Sequence, residues 1–518
     1  MARFVSASAQ QPRDPSLKPT DILAARAIAQ AAIDVELFTI PLYMTSLYSI
    51  VGRHEINMAG SPLYKGRMWP GPATTIAPSS ANEEAFNILF SIFIQEMLHL
   101  QMAANMATAI GVKQPSFTSL SLQTPNHGWK CFAPHLTVIP NIVDLADTEN
   151  EDVAVDIGPL DAERIELFLA IEQPEAQARA AIKPDKIGKY FPPAPFAGWT
   201  PGQPLPMFGT IGWMYQCYYD YLHVAYADGT TLLEALFDPA SVQQDLFNQV
   251  PEAKQYPGFS ATVTATDPAG ALAQMSAMMD AITDQGEGST LQPAAAGALA
   301  AVEPVYRSDL AALEQLYPSY DDSGDKLPQS ADANARYPND ALDHYERFQK
   351  LQAMLPQIVT WATAGKTGNW TASDFEAPDY DGGNPYGLPD TADLAAAINA
   401  ISDEGCFQGN YALLSQAVIG AIAGVTTVLN DYWQDKQAVF PMPAMGGTGN
   451  RMARIWAALG RGPDLLLGLH PPQQGVLYHA CQGIDYNSGG GNDCAQVGVF
   501  HSCIGSNACH AQGGCGFV

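Results

Sequence analysis

The sequence predicts a mainly α-helical fold, a bundle of long helices separated by long insertions. Three observations carry that reading. Segments 20–51 and 80–110 repeat apolar residues at helical spacing. Start and stop residues bracket them, with Thr20 and Ser80 as caps and Gly111 as a terminator. Apolar residues make up 47% of the 518, enough to bury a large core and to exclude global disorder.

Residues 1–19 read as a flexible arm. The first helix runs from Thr20 to about Val51, with Asp21 in its first turn and Pro41 expected to kink it. Residues 52–80 are rich in Gly, Pro and Ser and read as a loop. Ser80 then caps a second helix, with Glu83 and Glu84 in the capping-box region, ending at Ile110. Residues 112–160 mix turns with short strand-like runs such as LTVIPNIVDL, and Leu160 to Ala181 is helical. The proline-rich stretch 183–208 is an irregular crossing. A third bundle helix starts near Thr210, and an excursion from about 229 to 288 ends in the amphipathic AGALAQMSAMMDAI. The fourth bundle helix begins near Pro338-Asn339-Asp340 and passes Leu355. Residues 363–392 form a loop, helices return over Thr391–Asp435 and Gly449–Leu459, and glycine dominates from about Gly462. The expected division is an arm (1–19), a bundle (20–360) with insertions at about 112–208 and 229–335, an additional helical region (361–470) and a Cys/His/Gly-rich tail (471–518). No solenoid-period repeat and no glycine-rich phosphate loop occurs.

Lys and Arg total 25 against 53 Asp and Glu, a net charge of −28. Such a field repels phosphate backbones and anionic lipid, so neither nucleic acid nor a membrane surface is an expected partner. The N-terminal residues lack an apolar core of signal-peptide length. The run Tyr411–Leu429 carries Ser, Gln and Thr and is followed by Asn430 and Asp431, which suits a buried bundle helix better than a membrane span. A cytoplasmic location is expected.

Chemistry concentrates on the long helices. Glu96 and His99 lie three apart and share a helix face with Ile92, Phe93, Leu100 and Ala103. A carboxylate and an imidazole are costly on an apolar face unless paired or coordinated. Glu36 sits within Ile33, Leu37 and Ile40, and His344 beside Tyr345 and Phe348. A Glu-x-x-His pair with glutamates from neighbouring helices is how carboxylate-bridged metal bundles are built. Oxygen and imidazole donors suit iron first, with manganese or zinc as alternatives. Tyr43, Tyr215 and Tyr345 could line such a site or stabilise a radical, although aromatics at helical spacing are more often core.

Several blocks resemble the ferritin-like domain family associated with iminophenyl-pyruvate dimer synthase of violacein-type bisindole pathways. They are Val35-Glu36 through Tyr43 with Ser46 to Ile50; Gln95-Glu96 to His99-Leu100 with Ala103 to Asn105 and Ala109 to Gly111; and Phe168 to Glu175. Thr210 to Gly212, Gln285 to Gly288 and His344 to Phe348 follow in the family's order. Joined to the elements above, the resemblance implies a ferritin-like four-helix bundle with long insertions, extra C-terminal helices and a Gly/Cys-rich tail. It implies Glu36, Glu96, His99 and His344 as metal ligands. Two positions depart: Trp213 and Ala341 stand where acids are expected, so about one metal per bundle is anticipated rather than two. Asp340, four residues before His344, could replace a lost ligand or cap the helix, whereas Asp220 is about 10 Å along the axis and too far. The implied activity is a metal-dependent, non-haem iron-type oxidoreductase of specialised metabolism acting on a small, amino-acid-derived substrate, with self-association or a multi-enzyme assembly as its setting. The alternative is a metal-binding, storage or scaffold protein whose tail carries the function.

That tail holds Cys481, Cys494, Cys503, Cys509 and Cys515 together with His479, His501 and His510. In a cytoplasmic chain this density favours metal binding or redox chemistry, and thiolates favour a soft ion such as copper; structural disulfides are the competing reading. Cys131, Cys217 and Cys406 are scattered and read as small core residues.

Overall fold

Helix α1 (Lys18–Leu47) opens with Pro19 in its first turn, where a missing N–H costs nothing, after a short 3-10 turn over Pro15–Leu17. This start lies two residues before Thr20. In the computed structural model, residues 12–286, 306–434 and 445–469 are described, apart from positions 58, 61, 63, 249 and 384–386. Every residue from Ala31 to Leu47 is buried, as expected of a helix apolar on all sides. The helix runs through Pro41, whose carbonyl accepts from Thr45 Oγ1 at 2.6 Å. It stops before Val51 because that residue's amide is drawn to the carbonyl of Val359 at 2.9 Å.

Ser80 caps α2 (Ala81–Ala109), its hydroxyl accepting from the Glu83 amide, while Glu83 Oε2 accepts from the Ser79 amide at 2.6 Å. The chain leaves α2 through Gly111, at φ +77°; a Cβ there would also stand 2.6 Å from the Arg26 guanidinium. A two-stranded hairpin, β1 (Arg53–Glu55) with β2 (Met68–Pro70), fills the connection between the two helices. A smaller one, β3 (Val138–Ile139) with β4 (Val143–Asp144), lies in the strand-like segment.

The segment expected as one helix from Leu160 to Ala181 is two: α3 (Ala162–Glu172) and α4 (Glu175–Ala181). Pro174 breaks it, having no amide to donate and forcing Gln173 into extended backbone. A short α5 (Ile187–Tyr190) follows. Thr210 caps α6 (Ile211–Leu222), then come α7 (Leu232–Leu236) and α8 (Pro268–Gln285), the latter capped by Asp267. Beyond α9 (Leu310–Leu316) and α10 (Ala331–Arg336), the expected fourth helix also starts later. Residues Asn339–Ala341 form a 3-10 turn, and α11 (His344–Met354) begins at a capping box of Asp343 and Glu346. The C-terminal helices are α12 (Thr391–Ile401), α13 (Phe407–Gln434) and α14 (Met445–Leu459).

Helices α1 and α2 pack side by side along their length. On one flank α6 lies against α1, and α8 lies against α2 and α6; on the other, α11 packs on α2 and α3. Helix α14 packs on α13 and reaches α1, so bundle and C-terminal helices share one continuous apolar core. Among the described residues no helix is long and apolar enough to cross a membrane.

Candidate metal centre

Five ionisable side chains meet at the middle of the bundle, all buried: Glu36 from α1, Glu96 and His99 from α2, Glu172 from the last turn of α3 and His344 from the first turn of α11. Helical spacing alone puts Glu96 and His99 on one face. Glu36 arrives because α1 packs along α2, and Glu172 and His344 because α11 packs on both α2 and α3.

Glu96, His99 and His344 form the tightest group, with ligand atoms all within 4.8 Å of one another. His344 Nδ1 lies 2.9 Å from Glu96 Oε1 and 3.6 Å from Glu172 Oε2. His99 Nδ1 lies 3.7 Å from Glu36 Oε2 and 3.8 Å from Glu96 Oε1. Both rings therefore turn Nδ1 towards carboxylate oxygens. Their Nε2 atoms face glutamine carbonyls at 3.0 Å, His99 on Gln285 and His344 on Gln95. A carbonyl oxygen only accepts, so each Nε2 carries the hydrogen and each Nδ1 is left bare when the ring is neutral. The glutamines are held in turn. Gln285 donates to the Tyr306 carbonyl; Gln95 donates to Asp340 Oδ1 at 3.1 Å and accepts from Arg347 Nη1 at 2.7 Å.

The carboxylates have their own donors. Tyr215 donates to Glu36 at 2.8 Å, Thr39 to Glu96 at 2.6 Å, and Tyr43 to Glu172 at 2.5 Å. Tyr43, Phe168 and Phe348 pack ring against ring, with centroids 4.8–5.2 Å apart, and wall the cluster on that side. Burial and the charges of Glu172 and Glu96 push the Tyr43 phenol well above its ordinary range, so it holds its proton. Burial pushes His99 down to about 4. Burial acts the same way on His344, but the carboxylates of Glu172 and Glu96 outweigh it and lift that imidazole to about 9.

This arrangement fits a metal ion. His344 Nδ1 lies buried between the Glu96 and Glu172 carboxylates, a placement that suits a metal ion as well as a proton. Two imidazoles and one carboxylate are a donor set that non-haem Fe(II) centres use, and the Glu36 and Glu172 carboxylates lie beside it. Carbonyl-fixed Nε2–H groups are the usual outer partners of ligating histidines.

Other sequence-derived candidates lie elsewhere. Asp340 is not on the His344 face, because α11 begins only at His344; its carboxylate accepts from Ser308 and Gln95 and faces Arg347 at 3.6 Å. It is an outer support of Gln95 rather than a member of the cluster. Tyr345 is half-buried and, at about 100° round the helix from His344, points away from it. Trp213 is remote too, its indole donating to the Pro192 carbonyl. The acid that sequence reasoning missed is Glu172, which supplies a carboxylate on the α3 side. Its signal was an acid closing the apolar run Leu167-Phe168-Leu169-Ala170-Ile171. Cys481, Cys494, Cys503, Cys509 and Cys515 fall outside the described residues.

A family model described as ferritin-like matches residues 29–303, more than half of the chain. Among solved structures, the chain is similar to a ferritin-like protein from Caulobacter vibrioides, with 18% identity, 89% of this chain and 99% of that one covered, and a TM-score of 0.40. None of the curated proteins matches. The chain belongs to the ferritin-like family.

Proposed function

We propose that this ferritin-like protein is a non-haem iron-type oxidoreductase that acts on a small, amino-acid-derived substrate. The observation that carries the reading is the pair of imidazoles whose Nδ1 atoms face three buried carboxylates while Nε2 is fixed by Gln95 and Gln285. Glu96, His99 and His344 would hold one ion, since two atoms bound to one metal at about 2.1 Å each can be no more than about 4.2 Å apart, close to the spread of this group. Bound iron would supply dioxygen activation. The chain's own groups do the rest. Tyr43 and Tyr215 keep Glu172 and Glu36 oriented through their hydroxyl hydrogen bonds, and burial holds the proton on Tyr43. The aromatic wall of Phe168 and Phe348 excludes water on its side and strengthens every charge interaction within. The block order in the sequence supports the finer kinship with domains associated with iminophenyl-pyruvate dimer synthase, and an amino-acid-derived substrate is proposed on that ground.

The test is anaerobic titration of the metal-free full chain with Fe(II), followed by dioxygen uptake with a panel of amino-acid-derived 2-oxo and imino acids. Saturation at about one iron per chain and substrate-dependent uptake support the proposal. Absence of tight iron binding overturns it; two irons per chain would bring Glu36 and Glu172 in as ligands and overturn the single-ion form.

A further inference from the structure

A cavity of about 370 Å³ lies away from the metal cluster where the bundle meets the C-terminal helices. Its volume falls at the lower end of small-molecule sites, ~300–1,000 Å³. Its walls come from distant parts of the chain: the end of α1, the loop before α3, the first turns of α13, and the end of α14 with the segment that follows. These walls are fixed. The Trp456 indole donates to the Thr45 carbonyl at 3.2 Å, Ser46 Oγ donates to the Gly158 carbonyl at 2.9 Å, and Tyr411 donates to the Gly462 carbonyl at 3.0 Å.

The lining is mostly apolar and aromatic, with Phe132, Tyr411 and Trp456 among its walls, and it carries opposite charges. Arg461 is exposed, its guanidinium 3.5 Å above the Tyr411 ring. Asp156 and Asp464 are half-buried carboxylates whose described hydrogen bonds come from backbone amides, Ile157 at 2.7 Å and Leu466 at 3.0 Å. Burial raises the Asp156 carboxyl; the Ile157 amide and the Arg164 charge oppose the rise, and the Glu163 and Asp464 charges add to it. Among the described residues no ion pair joins Arg461 to either acid, although all three line one cavity. A planar guanidinium presents paired donors to a carboxylate. Paired acids beside aromatic faces suit a protonated amine.

We propose that this cavity binds a zwitterionic α-amino acid with an apolar or aromatic side chain, its carboxylate on Arg461, its ammonium on Asp156 and Asp464, and its side chain against Phe132 and Trp456. The inference does not rest on the metal reading, and the site binds with the metal centre loaded or empty.

Isothermal titration calorimetry on the full chain tests it, with L-phenylalanine, phenethylamine and 3-phenylpropanoate as probes. Phenylalanine should bind at least tenfold more tightly than either single-charge analogue. Arg461→Gln should erase its advantage over phenethylamine, and Asp464→Asn its advantage over 3-phenylpropanoate. Stripping the metal with a chelator should leave phenylalanine affinity unchanged. Both substituted side chains reach solvent, and near-ultraviolet circular dichroism verifies the fold of each variant. Failure of phenylalanine to bind at millimolar concentration overturns the site. Equal affinity for phenethylamine overturns the zwitterion assignment, and affinity unaltered in Arg461→Gln overturns the location.

Discussion

His99 and His344 stand with ring centroids 5.4 Å apart in one buried cluster, yet the protein treats them oppositely. His99 sits mid-helix on α2, and its nearest carboxylate oxygen is 3.7 Å away. Burial prevails there, and the ring stays neutral until about pH 4. His344 opens α11 and comes within 2.9 Å of Glu96 and 3.6 Å of Glu172. Burial loses there, and the ring keeps its proton to about pH 9. The closer carboxylates lift His344, whereas burial together with the charges of His344 and Arg347 holds His99 down. The lesson is that the metal-free cluster carries an internal counter-ion. The proton on His344 faces the carboxylates of Glu172 and Glu96.

The largest effect should come from removing what both arms share. A Glu96→Ala, His99→Ala double variant loses its transition metal, checked by elemental analysis of the purified, folded protein; unchanged metal content would end the assignment. Next in size is the asymmetry itself. In metal-free protein His344→Leu removes the imidazole that faces Glu96 and Glu172 and should cost about 3–5 kcal/mol, against about 1 kcal/mol for His99→Leu, which leaves one glutamine carbonyl unpaired. Urea unfolding of the two variants measures the difference, and equal losses would break the comparison.

Acidity should separate the arms too. His344 has a folded value of about 9, above the ~6.5 of an unfolded chain. Its contribution is complete below about pH 6.5 and lost as pH rises towards 9, because only the folded form then still holds the proton. His99, at about 4, behaves in reverse: stability falls as pH drops from about 6.5 to 4, where the unfolded chain binds a proton first. Metal-free stability should peak near pH 6.5, with limbs on the order of 3 kcal/mol each. His344→Leu should flatten only the alkaline limb and His99→Leu only the acid one, in urea midpoints taken from pH 4 to 9.5. The smallest effects belong to the outer supports. Gln95→Leu and Gln285→Leu should each weaken Co(II) binding about 10–100-fold, read from the ligand-field spectrum. Gln95 should matter more, since Arg347 and Asp340 fix it from two sides.

Much of this centre was legible in the sequence. Acids inside apolar helical stripes exposed Glu36 and Glu96, and the three-residue spacing tied His99 to Glu96. Long helices reveal their faces because periodicity accumulates over many turns. Glu172 escaped because α3 is a short helix that touches the cluster with its last residue, and no periodicity marks a helix end. Asp340 was misplaced for a related reason. Sharing a face with His344 required a helix already running at position 340, and the capping box starts it only at His344. The paired glutamines were invisible, since a buried amide next to a ligand looks like any polar residue until its partner across the fold is known. The break at Pro174 could have been read, because proline both lacks a donor and restrains the residue before it.

The protonated His344 also bears on when the ion arrives. If His344 Nδ1 is a ligand, as proposed, an incoming ion would have to displace that proton, so loading should release about one proton and weaken as pH falls.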